Sequence, residues 1–161
     1  MKLNIRKPNN PKGLIESKIH DKHIVDFCIK KNIPARLAPD GSDIYKKVDI
    51  IVKNHKIDTK IFGHKFSKTN LYYEFKKHSE NGPSEAEYLW IFIKTKEDEN
   101  KLISESYLVS IEKLRELCKY GKCKKWTAPS GDLLMTFDLT KLELYKDYLI
   151  YKNIPEISYI N

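Results

Sequence analysis

The amino-acid sequence predicts an α/β or α+β domain built on a mixed sheet flanked by helices, and three observations carry that expectation. A helical periodicity near the N-terminus gives way to a series of short strand-like segments. The most apolar of these, YLWIFIKT, is the kind of unbroken run found in strands covered on both faces. A second amphipathic helix follows it, giving the order α, β, β, β, β, α, β.

Taken in order, residues 12–31 (KGLIESKIHDKHIVDFCIKK) place Ile15, Ile19, Ile24, Phe27 and Cys28 at helical spacings, with Asn32 and Pro34 as the stop. IPARLAP is a short extended piece leading into the DGSD turn. VDIIV and KIDTKIF then read as two strands joined by the tight turn KNHK, the best-marked hairpin in the chain. NLYYEFKK reads as a third strand, HSENGPSEAE as a turn-rich connection, and YLWIFIKT as the strand at the sheet centre. After the charged turn KEDEN, YLVS is a short strand feeding a helix from Ser110 to Gly121, with Ile111, Leu114, Leu117 and Cys118 on one face and Ser110 as its N-cap. GDLLMTFDL is a late strand and TKLELYKDYLIY a last short helix.

At 161 residues the chain is expected to be one domain, 1–161, with a core over about 12–140. Thirty Lys and Arg against twenty-two Asp and Glu leave a net charge of +8, which favours a polyanionic partner. Nucleic acid is preferred over membrane because no segment approaches the ~18 uninterrupted apolar residues of a spanning helix. The N-terminus MKLNIRKPNN lacks an apolar signal stretch, so a reducing cytoplasm is expected. The three cysteines suit that compartment: Cys28 reads as core, and Cys118 and Cys123 lack the partners of a zinc site.

The chemistry concentrates in KKVDIIVKNHKIDTKI, residues 46–61, where two aspartates interrupt apolar strands. Hydrolysis of a phosphodiester needs an activated water and neutralisation of the charge that builds on the phosphate, and Mg²⁺ held by two or three carboxylates supplies both. Asp49 and Asp58 lie nine positions apart across the turn, which sets them near one another on adjacent antiparallel strands. Lys60, two residues after Asp58, points to the same side of its strand, because side chains alternate. From there it could orient or help deprotonate the attacking water. A hairpin with an exposed Asp and Lys face would give the same spacing.

VDIIV, a tight turn and IDTK resemble the core signature of the PD-(D/E)xK nuclease superfamily, which includes restriction endonucleases and Holliday-junction resolvases. The likeness continues through the preceding acidic helix, NLYYEF, AEYLWIFI and YLVSIEKL, covers about residues 15–140, and is nearest to small stand-alone nuclease-like proteins of phage and bacteria. It implies a restriction-endonuclease-like mixed central sheet flanked by helices and a Mg²⁺- or Mn²⁺-dependent DNA endonuclease. Asp49 and Asp58 are then the metal ligands and Lys60 the catalytic lysine, with an acid on the first helix assisting. Glu16, Asp21 and Asp26 are the candidates for that acid, and Asp21 fits the register of Ile24 and Cys28 best. The family's Pro-Asp element is loose here: Pro39 and Asp40 precede the strand while Asp49 follows a valine, so Asp40 or Asp43 stands as an alternative first ligand. Glu74 in NLYYEF is a further candidate. Two other readings stay open, a structure-specific resolvase acting as a homodimer and a catalytically silent DNA-binding protein on the same fold.

The histidines 20, 23, 55, 64 and 78 show no helical metal-binding spacing and read as surface or turn residues. In KIFGHKFSK and KYGKCKKW, Lys65, Lys68, Lys124 and Lys125 are candidate phosphate contacts, with Tyr72, Tyr73 and Trp126 available to stack on bases.

Overall fold

The computed structural model describes residues 11–39, 46–63, 71–79, 81–99, 101–103, 105–120, 124–129, 131, 133–137 and 149–153. The first helix, α1, spans Pro11–Lys30. Asn32 just beyond it has φ 58°, a left-handed conformation that asparagine tolerates, and this lets Ile33 N–H bond Cys28 O at 2.9 Å and Asn32 N–H bond Ile29 O at 3.0 Å. The buried stripe of α1 runs through His20, Asp21, Ile24, Val25 and Cys28. Ile15 and Ile19, expected on that stripe, are 60% and 50% exposed. The apolar spacing thus runs on past the stretch of the helix that is buried.

The strands are β1 (Ala35–Leu37), β2 (Ile50–Val52), β3 (His55–Gly63), β4 (Leu71–Tyr73), β5 (Tyr88–Lys94), β6 (Glu105–Ser110), β7 (Lys124–Thr127), β8 (Leu133–Phe137) and β9 (Leu149–Asn153). A short helix α2 (Phe75–His78) follows β4, and α3 (Ile111–Lys119) follows β6. Six strands form one mixed sheet in the order β1-β2-β3-β5-β6-β9, with β3 and β5 parallel and the other pairs antiparallel. A second sheet, β4-β8-β7, is entirely antiparallel. The β2–β3 connection is a two-residue turn with Lys53 and Asn54 both left-handed, the geometry that matches the twist of paired strands.

Three expectations are corrected here. NLYYEFKK yields only a three-residue strand, which joins the small sheet instead of the main one, and its second half coils into α2. KKWT, read as a basic surface segment, is strand β7, where hydrogen bonding to β8 holds an otherwise exposed stretch. The end of TKLELYKDYLIY is strand β9 against β6, while its residues 140–148 lie outside the described residues.

Alternation on β5 divides the interior. Trp90 and Phe92 join Ile50, Val52, Ile57 and the α1 residues Ile24, Val25 and Cys28 in one cluster. Leu89, Ile91 and Ile93 join Leu71, Tyr73, Met135 and the α3 residues Ile111, Leu114 and Leu117 in the other. α3 packs the face its periodicity announced, and Ser110 caps it by accepting from Lys113 N–H at 3.4 Å. No helix among the described residues is long and apolar enough to cross a membrane.

Candidate metal and phosphate site

The hairpin delivers the acids. β2 and β3 pair Ile50 with Ile57, and one residue upstream the Asp49 N–H also donates to Ile57 O at 2.9 Å, so two residues stand against one in a bulge-like step. Ala38 N–H donates to Asp49 O at 2.9 Å from the other side. Asp49 therefore lies just before β2, pinned by backbone on both flanks. Its Oδ2 accepts from Thr59 N–H at 2.8 Å, taking the ladder position that β2 leaves free on β3.

Because side chains alternate along β3, Ile57 points into the α1 cluster while Asp58 turns to the opposite face. There Asp58 Oδ2 accepts from His78 Nε2 at 2.9 Å and Oδ1 lies 3.9 Å from Lys60 Nζ. Lys60 Nζ is also 3.7 Å from Glu74 Oε2, and Lys47 Nζ is 2.9 Å from the same oxygen, with Lys77 Nζ 3.7 Å from Oε1. Asp58 is 1% exposed, so the approach from solvent runs over the partly exposed Lys60 and Glu74.

Asp21 reaches the hairpin from the α1 side. Thr59 Oγ1 lies 2.7 Å from Asp21 Oδ1 and 3.2 Å from Asp49 Oδ2, and the shorter contact takes its proton. Asp21 thus adjoins Asp49 through one hydroxyl, while Asp58 works on the other side of β3.

Electrostatics separates the two aspartates of the hairpin. Burial raises the Asp49 carboxyl, and the charges of Asp58 and Asp21 together with a hydrogen bond to Asp58 take it to about 8, against the pull of the Thr59 amide. Burial also opposes the charge on Asp58, but the Lys60 ammonium and the His78 hydrogen bond outweigh it and bring that carboxyl down to about 2. The two carboxyls are thus pushed in opposite directions, Asp49 up and Asp58 down. For Lys60, burial is outweighed by Asp58, Glu74 and Asp49, and its pKa rises. A lysine in that setting is favoured in its charged form, beside Asp58 and Glu74. Glu74, raised by burial but lowered more by Lys60 and Lys47, stays ionised.

The remaining sequence candidates fall elsewhere. Glu16 is exposed and ion-pairs with Lys94, and Asp26 is exposed on α1. Asp40, Asp43, Lys65, Lys68, His64 and Cys123 lie outside the described residues. Lys124 and Lys125 are exposed on β7, where Lys125 Nζ sits 5.1 Å over the Phe75 ring, and Trp126 is 42% exposed. Tyr73 is fully buried, its hydroxyl 2.6 Å from Cys118 Sγ, so it offers no ring to a base; Tyr72 packs edge-on against Phe62. Glu74 ends β4's segment on the small sheet and reaches the hairpin from there, not from a neighbouring strand of the main sheet.

Two histidines expected at the surface are buried. His20 accepts from Ile103 N–H through Nε2 at 3.1 Å, and burial, with His23 nearby, lowers its pKa to about 4. His78, 0% exposed, is a site residue that the sequence reading missed, as are Thr59 and Lys47. The signal was faint: a histidine four positions after Glu74, with Glu74 read in a strand and His78 in the turn-rich connection after it, whereas one helical turn puts both on the same side. Asp58, Glu74 and His78 bring ligand atoms within 4.8 Å of one another, a group with the donor chemistry to hold a metal ion. A scan against models of known protein families and a search of curated proteins return no match to this chain.

Proposed function

We propose that this chain is a metal-dependent deoxyribonuclease of the PD-(D/E)xK kind, hydrolysing phosphodiester bonds through Asp49, Asp58 and Lys60. One arrangement carries the reading: Asp49, tied to β3 by the Thr59 amide at 2.8 Å, is near enough to Asp58 for each carboxyl to shift the other, and the Lys60 ammonium lies 3.9 Å from Asp58. Two carboxylates forced together repel unless a proton or a cation lies between them. The donor set is all oxygen on this side, which suits Mg²⁺ or Mn²⁺, and such an ion would supply a bound water of lowered pKa and neutralise charge on the phosphate. Asp49 and Asp58 would hold it. Lys60, kept charged by its three acidic neighbours, would face the phosphate oxygens, and Glu74 would keep its ammonium from collapsing onto Asp58. Thr59 joins Asp21 to Asp49 and so fixes the Asp49 carboxyl from behind. The finer fold assignment, a restriction-endonuclease-like domain, draws support from α1 followed by the antiparallel β1-β2-β3 run and the parallel β5.

Duplex DNA is the proposed partner, with the +8 charge and the exposed Lys124 and Lys125 as the features that favour it. The near-complete burial of Asp58 favours a second reading, a catalytically silent DNA-binding protein on the same scaffold. Cleavage of supercoiled, linear, single-stranded and branched DNA in Mg²⁺, Mn²⁺ and EDTA separates the two. The nuclease reading expects cleavage that EDTA and Lys60→Ala each abolish. Cleavage indifferent to both would refute it, and DNA binding without cleavage would establish the silent reading.

A further inference from the structure

Asp58 carries two oxygens with different neighbours, and the difference traces to a residue outside the DxK triplet. Oδ1 faces Lys60, whereas Oδ2 lies 2.9 Å from Nε2 of His78. Since an ionised carboxylate only accepts, Nε2 carries the proton. The imidazole is 0% exposed, its ring centroid 6.0 Å from that of Tyr73, and Arg115 Nε donates to the His78 backbone carbonyl at the end of α2. Nδ1 has no hydrogen-bond partner among the described residues. The ring therefore has one polar engagement through its side chain, and that engagement is Asp58.

We propose that His78 is a positioning residue whose Nε2–H holds Asp58 Oδ2 inside the protein, so that Oδ1 alone is presented toward the cation and Lys60. This rests on reading Asp58 as a cation ligand. A buried carboxylate free to rotate would offer either oxygen, or both, to the Lys60 ammonium. Holding one oxygen fixes the plane of the other at no expense to the charge, in the way that hydrogen bonds to a ligating group fix its orientation and commonly govern metal affinity by ~10- to 100-fold. The three-atom group of Asp58, Glu74 and His78 does not require His78 to be a direct ligand: Lys60 and Lys47 already stand at Glu74 Oε2.

The side-chain amides of glutamine and asparagine separate these roles. Gln places its amide nitrogen about where Nε2 sits, whereas Asn places it about where Nδ1 sits. Mn²⁺ binding to the full chain, followed by loss of the free-ion electron paramagnetic resonance signal, is compared for wild type, His78→Gln, His78→Asn and Asp58→Asn, with DNA cleavage measured as a function of Mn²⁺. Each variant is checked for a cooperative thermal transition. The expected result is roughly tenfold or greater weakening in His78→Asn, recovery to within a few-fold in His78→Gln, and loss in Asp58→Asn. Cleavage by His78→Asn should need more Mn²⁺ yet approach the wild-type rate at saturation. Equal loss in Gln and Asn, which marks a direct ligand, overturns the proposal, as does wild-type affinity in a folded His78→Asn. Should His78→Asn fail to fold, a folded His78→Gln with binding weakened tenfold overturns it and one near wild type upholds it. Mn²⁺ binding that survives Asp58→Asn, or is absent from the wild type, instead overturns the underlying reading of the site and the proposal with it.

Discussion

Replacing Asp49 by asparagine should make the metal-free protein less sensitive to rising pH. Asparagine keeps the local contacts, its carbonyl accepting from Thr59 N–H and its amide donating toward Asp58, but it has nothing to ionise. In the wild type Asp49 titrates at about 8 in the folded protein, raised by burial and by Asp58 and Asp21, against an ordinary value of 3.8. Between those limits the folded state keeps a proton that the unfolded chain has released. Stability contributed by this group is therefore fully present below the ordinary value and is lost as pH rises through the folded one, with a slope of about −1.4 kcal/mol per pH unit for one proton. Asp58, held down at about 2, is ionised in both states over this window and adds no slope. His20, lowered to about 4, adds the opposite slope, but equally in both proteins, so it cancels in the difference. From pH 5 to pH 7 the variant should gain about 2.7 kcal/mol on the wild type, which for a chain of this size separates the two melting temperatures by roughly 5 to 11 °C. Thermal unfolding in EDTA at pH 5, 6 and 7 measures it. A difference that stays flat with pH would mean that Asp49 ionises like an ordinary carboxylate, and that burial, Asp58 and Asp21 do not raise it.

The remaining predictions concern the scaffold and the partner. Ile24→Ala should destabilise by about 2–5 kcal/mol, because it empties a fully buried position, while Ile15→Ala on the same helix should stay within about 0.5 kcal/mol; urea unfolding that ranks them the other way would reverse the buried stripe of α1. If Lys124 on β7 contacts duplex phosphate, Lys124→Ala should lower the slope of log affinity against log salt by about 0.9, from a value near −3.6 for about four lysines. An unchanged slope in a binding assay at several salt concentrations would remove β7 from the interface.

Which parts of this structure the sequence could announce follows from the range of the interactions involved. Local signals were legible: Ser110 before a clean apolar stripe marked α3, and KNHK between two apolar runs marked the β2–β3 turn. The run YLWIFIK was legible as a central strand because burial on both faces leaves no polar alternation. What depended on distant partners was not. β7 carries four exposed residues and exists through its ladder to β8, and the covered length of α1 depends on where β1 to β3 end, which no residue of the helix records. Within the site, alternation placed Asp58 with Lys60, since that relation lies within one strand. It could not say that a one-residue irregularity turns Asp49 toward Thr59, nor that α2 would bring a histidine against Asp58 from twenty residues away.

That division bears on how the site works. The DxK triplet on β3 supplies charges, but their states are set by residues from other elements: Asp21 on α1 helps push Asp49 up, while Glu74 and His78 on the β4–α2 segment hold Lys60 charged and Asp58 ionised. Two carboxyls that would titrate together in an isolated hairpin are driven apart, to about 8 and about 2, so that one holds the proton and the other the charge. An ion held by both carboxyls, as proposed, would have to displace the proton that the raised pKa of Asp49 favours. Occupancy of such a site would therefore strengthen with rising pH until Asp49 ionises unaided, while the protein without the ion loses stability over the same range. If the site takes a cation as proposed, the same carboxyl would link the stability of the hairpin to cation binding, with opposite signs.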